Sequence, residues 1–295
     1  LAAARTLGNA EAELALLRPL LSDGLAGALP LEELRDLGLA LFRAGDTEPA
    51  YAILCRAHEL VPRDRDVLAA LEALARGARD DARLAELLAS RFPLEAEDAR
   101  ARIAAEAAAV ASRRGDAQGE LLWQRKLNAL TPGSNEGLTR WLALERSVGT
   151  TGGRLDALRA LLAIATDPEQ RSELEAAEGE VLVESGRLAD ASACFARALA
   201  GRRAPKLTWL RAQSDLLARL GRATERVDVL RLLASHPEAA PEERARHQRE
   251  RIELLSSHPE LREEAALQMR MLIDSDPSAA RPAQLERMLR LLQLY

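Results

Sequence analysis

Aromatic side chains are scarce in this sequence: three tryptophans, two tyrosines and three phenylalanines make up 3% of 295 residues. Strands favour aromatic and β-branched residues. A chain whose apolar 47% rests on Leu, Ala, Val and Ile suits close helix contacts and suits a sheet poorly. Lysine is almost missing, with Lys126 and Lys206 the only two, and arginine supplies the rest of the positive charge. The arginines are spread along the whole chain, as the codon usage of a GC-rich genome would leave them, which points to a bacterial source. A basic footprint is missing too. The net charge of −5 and pI near 5.6 exclude a general nucleic-acid or membrane-surface binder. No apolar run approaches the roughly 18 residues of a membrane-spanning helix, so no membrane insertion is expected.

Catalytic patterns are equally absent. The four histidines, His58, His236, His247 and His258, give no converging ligand set. Cys55 and His58 lie three apart on one helical face and could supply two ligands, but no second pair lies near them. There is no HExxH, no G-x-S-x-G elbow, no Rossmann glycine set and no kinase signature. The run GTTGG at Gly149 to Gly153 lacks the GK[ST] ending of a phosphate loop and no strand precedes it, so it reads as a slightly lengthened turn between helices. Adjacent acids such as Glu32 with Glu33 and Glu263 with Glu264 point to different helix faces and read as solvated charge. Eight aromatics, most at core phases, do not make a stacking stripe for single-stranded nucleic acid. No enzyme active site, metal or cofactor is expected.

What is present is a period. In Leu31 to Pro62, residues Leu34, Leu37 and Leu41 share one face of a first helix, and Ala50, Leu54 and Ala57 share one face of a second. Gly45 and Asp46 form the turn between them, and Pro62 stops the second helix. Small residues at Gly38, Ala50 and Ala57 let the two helices approach closely. The pattern returns along the chain: Gly115 follows Gly45 by 70 positions, Pro132 follows Pro62 by 70, and Gly221 follows Gly186 by 35.

The chain therefore divides into helix pairs at 31–62, 64–93, 94–132, 134–168, 169–203, 204–237 and 239–277, all within one solenoid over 1–295. A partial repeat over 1–24 precedes them, with an apolar stripe at Ala10, Leu14, Leu17 and Leu21. A terminal helix over 280–295 follows, carrying Leu285, Met288, Leu289 and Leu292. The second pair is degenerate, with Asp64 or Asp66 and Asp80 or Asp81 as candidate caps. Trp123 reads as core. Cys55 and Cys194 fall in second helices several repeats apart. Since a repeat touches only its neighbours, they form no disulfide and read as small buried hydrophobes. The sequence opens with Leu1 in mid-pattern, which reads as a piece cut from a larger protein.

Leu31 to Pro62 resembles the tetratricopeptide repeat (TPR), and so does Ser172 to Ala200 with Gly179, Leu182, Gly186, Ala191, Phe195 and Ala198. The matches around Gly115 and Gly221 are fainter. The resemblance implies an all-α fold, a right-handed α-solenoid of antiparallel helix pairs whose first helices line a concave groove. It places Glu32, Arg35, Leu39, Phe42 and Arg43 in that groove at the first pair. Glu173, Glu180, Val183 and Glu184 follow at the fifth, and Thr208, Arg211, Asp215 and Arg219 at the sixth. The carboxylate clamp of the chaperone-binding subgroup is not reproduced, since the place after Arg35 holds Leu39 and the asparagines are missing.

These observations lead to the expectation of a non-catalytic scaffold that holds a protein or peptide partner in the groove, in the cytoplasm or the envelope of a bacterium. The alternative is a regulatory or substrate-recruiting arm of an enzyme whose catalytic domain lies elsewhere. A third reading, an RNA grip, would show steep salt dependence. Oligomeric state and partner identity are not encoded in these patterns.

Overall fold

The computed structural model describes residues 30–202, 204–257 and 262–275. Fourteen α-helices and no strand occur among the described residues. The contacts divide the chain into two compact units, 1–153 and 154–295. The expected partial repeat over 1–24 and the terminal helix over 280–295 lie outside the described residues.

The first unit holds α1 (Leu31–Ala44), α2 (Thr47–Leu60), α3 (Arg65–Ala78), α4 (Asp81–Arg91), α5 (Glu97–Arg113), α6 (Ala117–Leu130) and α7 (Asn135–Val148), and it ends within the first turn of α8 (Thr151–Ile164). Each helix up to α7 packs on the next, and α1 also meets α3 across the intervening α2. That is hairpin stacking, in which a repeat buries its apolar face only against its neighbours. Leu34, Leu37 and Leu41 of α1 and Ile53, Leu54 and Ala57 of α2 are all buried, as are Leu68 and Leu71 of α3 and Leu84, Leu87 and Leu88 of α4. Trp123 is buried too, with the Phe92 ring edge-on at 5.3 Å between centroids.

The second unit continues α8 and adds α9 (Pro168–Glu184), α10 (Leu188–Ala200), α11 (Leu207–Arg219), α12 (Ala223–Ser235), α13 (Pro241–Ser257) and α14 (Arg262–Ser275). From α9 onward successive helices pack in the same way. Leu210, Leu217, Leu230 and Leu233 lie at the core of the α11–α12 pair. Cys55 is half-buried and Cys194 buried, and neither is bridged.

Two positions explain why the hairpins close. Gly45 ends α1 in the left-handed region at φ 83°, where its N–H donates to the Phe42 carbonyl while the Asp46 N–H donates to that of Leu41. Gly38 faces α2 so closely that a Cβ there would stand 2.7 Å from Leu54 Cδ2, and in α9 a Cβ on Gly179 would stand 2.9 Å from Phe195. Caps fix several starts. Asp64, Asp80, Asp116, Ser134 and Asp167 each accept a backbone N–H from the first turn that follows.

The GTTGG run is not a lengthened turn. Thr151 to Gly153 already belong to α8, and Thr150 Oγ1 caps that helix by accepting from Gly153 N at 3.0 Å. The glycines are needed because the Glu145 carboxylate occupies the space where Cβ atoms of residues 149 and 153 would lie.

Candidate functional site

Within each unit, ion pairs about one repeat apart show which first helices are neighbours. In the first unit, Arg35 of α1 reaches Asp64 Oδ2 with Nε at 2.7 Å and also pairs with Asp66 of α3. Arg76 of α3 grips Glu106 of α5 with both Nε and Nη2, at 2.5 and 2.8 Å. In the second unit, Arg211 of α11 binds Glu243 of α13 in bidentate fashion at 2.8 and 2.7 Å. Planar, two-point pairing of this kind fixes orientation better than a single contact does. Arg211 accordingly holds the Glu243 carboxyl below its ordinary range.

The residues that the repeat resemblance places in a groove fall into three groups, with Arg43 apart. Glu32, Glu180, Thr208, Asp215 and Arg219 are exposed, and the four charged ones form no ion pair among the described residues. Arg35, Glu173, Glu184 and Arg211 are already engaged by the protein itself. Glu173 Oε1 receives Lys206 Nζ at 2.5 Å and Arg202 Nη1 at 2.8 Å, and Lys206 above all keeps its carboxyl below the usual value. Glu184 pairs with Arg154. Leu39, Phe42 and Val183 are half-buried, the first two against the core of the first unit. Arg43 is exposed, and its Nε donates to the Leu39 carbonyl at 3.2 Å. Glu32 and Arg35 also border a cavity of about 260 Å³ whose apolar side is formed by Ala57, Val61 and Val67.

First helices of both units also carry buried carboxylates. Glu72 of α3 is 0% exposed, and its Oε2 accepts from Arg76 Nη2 at 2.9 Å and from Arg91 Nη1 at 2.8 Å. Its Oε1 has no partner, and burial pushes its carboxyl above the ordinary value against the pull of both arginines. Glu145, 1% exposed, accepts from Arg125 Nε at 2.7 Å, from Trp141 Nε1 at 2.6 Å and from the Thr150 N–H at 3.2 Å. In the second unit Glu178 is buried and accepts from Arg159 Nε at 2.9 Å.

Sequence reasoning missed these residues. For Glu72 a signal existed: it stands 34 positions after Gly38, where the pattern calls for a small residue.

Among the described residues no group of three or more His, Cys, Asp or Glu side chains could hold a metal ion, and no helix is long and apolar enough to cross a membrane. Burial raises the Cys194 thiol, which leaves it a poor nucleophile.

The repeat is thus TPR-like by its own register: paired helices, a left-handed glycine at the turn, and a small residue facing the partner helix. No protein-family model and no curated protein matches the chain. Among solved structures, it is similar to a chain of the Naa15/Naa10 complex bound to HypK-THB, at 16% identity and a TM-score of 0.42 over 90% of this chain, and it spans 39% of that chain's length. It is similar to PilF of Pseudomonas aeruginosa at 19% identity and a TM-score of 0.35, covering 88% of this chain and 99% of that one. A tetratricopeptide repeat protein from Parabacteroides merdae matches at 13% identity and a TM-score of 0.30, covering 89% of this chain and 98% of that one.

Proposed function

We propose that the chain is a non-catalytic scaffold that binds a protein or peptide along the wall that first helices form within each unit. The observation that carries this reading is the division of labour on that wall. Arg35, Arg76 and Arg211 are used internally as struts between first helices, while Glu32, Glu180, Asp215 and Arg219 are left exposed without an ion-pair partner among the described residues. A surface already braced in this way loses little conformational freedom on binding, and the unpaired charges supply selectivity. The unpaired set is mainly acidic, which favours a partner segment with alternating basic and apolar residues.

The test is site-specific photo-crosslinking from positions 32, 180 and 215, set beside positions 56 and 196 on second helices, in extracts of the source organism. Cross-links to one protein from the first set and not the second are the expected result, lost on reversing Glu180 and Asp215 to arginine. Cross-links from the second-helix positions alone would overturn the reading.

A further inference from the structure

The first unit carries a second opening. It lies between the start of α2 and the end of α3, with a volume of about 300 Å³. Its floor is Leu74, Ala75 and Ala78, and Tyr51 forms one side, left 38% exposed. Two carboxylates stand on the rim, Glu48 and Asp80. Glu48 makes no ion pair among the described residues. Asp80 spends one oxygen capping α4, where Oδ1 accepts from Arg83 N at 3.0 Å. The guanidinium of Arg83 is paired with Glu86 at 2.8 Å and also lies within electrostatic reach of Tyr51, so its charge offsets part of the rim's.

We propose that this cleft takes one arginine or lysine side chain from an extended basic peptide of a partner protein. The volume fits a single long side chain. Its methylene stem would cover Leu74, Ala75 and Ala78, and its cationic head would meet Glu48 and Asp80 beside the Tyr51 ring. A purely apolar occupant would strip water from two carboxylates and give nothing back, and an acidic one would be repelled. The occupant is therefore selected by charge as well as by shape. The cleft shares α3 with the first-helix wall, but none of its lining residues belongs to the set proposed there.

The test is amide NMR on the ¹⁵N-labelled chain titrated with the peptide Ac-Gly-Ala-Arg-Ala-Gly-NH₂ and with the same peptide carrying Gln or Glu in place of Arg. Saturable shifts confined to residues 47–51 and 74–80, at least tenfold tighter for Arg than for Gln and undetectable for Glu, are expected. Glu48→Lys, an exposed change that leaves the core alone, abolishes them, and Tyr51→Ala weakens them several-fold. Glu180→Lys in the second unit leaves them unchanged, which separates this cleft from the wall. Equal shifts with the Gln peptide, shifts spread over all acidic surfaces, or a Glu48→Lys chain that still binds would overturn the assignment.

Discussion

Hairpins α1–α2 and α3–α4 are offset by 34 residues and share four large apolar places: Leu34 matches Leu68, Leu37 matches Leu71, Ile53 matches Leu87, and Leu54 matches Leu88. All eight are buried. At the places between them the two hairpins use opposite chemistry. The first has Gly38, Gly45 and Ala57, which are small and leave room. The second has Glu72, Arg79 and Arg91 at those same places, so that an ion pair fills the space and an arginine takes the left-handed turn position at φ 55°. The difference shows that the apolar places alone keep the register, and that a small-residue contact can be replaced by a charge pair if both members change together.

Transferring one member alone should break the comparison most. Gly38→Glu puts a Cβ against Leu54 and a carboxylate opposite Ala57, where no arginine waits. Overpacking together with an unpaired buried charge should cost about 4 kcal/mol or more, read as loss of the first unit's transition in urea followed by circular dichroism.

Removing both cations from Glu72 comes next. Arg76→Met with Arg91→Met leaves the carboxylate buried and unmatched, for a loss of about 3 kcal/mol at pH 7, discounted from the fully buried case because both arginines are partly exposed. The pH dependence has a definite sign. Burial holds the Glu72 carboxyl above its unfolded value. The folded state therefore binds that proton more tightly, and stability from this group is present at low pH and lost as pH rises through the folded pKa. The double variant should regain stability on acidification from pH 7, and Glu72→Gln in the same background should flatten that dependence. A double variant whose stability falls on acidification would contradict the assignment.

A smaller effect is expected at the turn. Arg79→Gly removes a left-handed strain that Gly45 does not carry, and should raise stability by about 1 kcal/mol in the same urea titration. Smallest of all is the exchange Arg211→Glu with Glu243→Arg in the second unit, which keeps the pair and reverses its polarity. The unfolding midpoint should not move, whereas Arg211→Glu alone should loosen the α11–α13 contact, seen as faster amide exchange in those helices. This control also separates loss of a strut from loss of a partner contact whenever wall charges are mutated.

Much of the first hairpin was legible in advance. The phases of Leu34, Leu37 and Leu41, the turn at Gly45 and the close approach at Gly38 each follow from a period of 3.6 and the steric demands of one residue. The second hairpin was recognised as degenerate without its cause, since Glu72 and Arg91 are 19 positions apart and nothing local says that they meet. The proposed binding residues were legible as a set of positions only. That Arg35, Glu173, Glu184 and Arg211 carry internal partners depends on residues about a repeat away, and from sequence alone all four read like the unpaired Glu32 and Glu180.

The sequence by itself determined that this protein is a run of helix hairpins, because hydrophobic spacing, turn glycines and caps act within a few residues of one another. The tertiary structure alone decided which charges are struts, which are buried against arginine and which stay exposed. An ion pair is set by distance in space, and stacking brings together side chains that the chain holds some thirty positions apart.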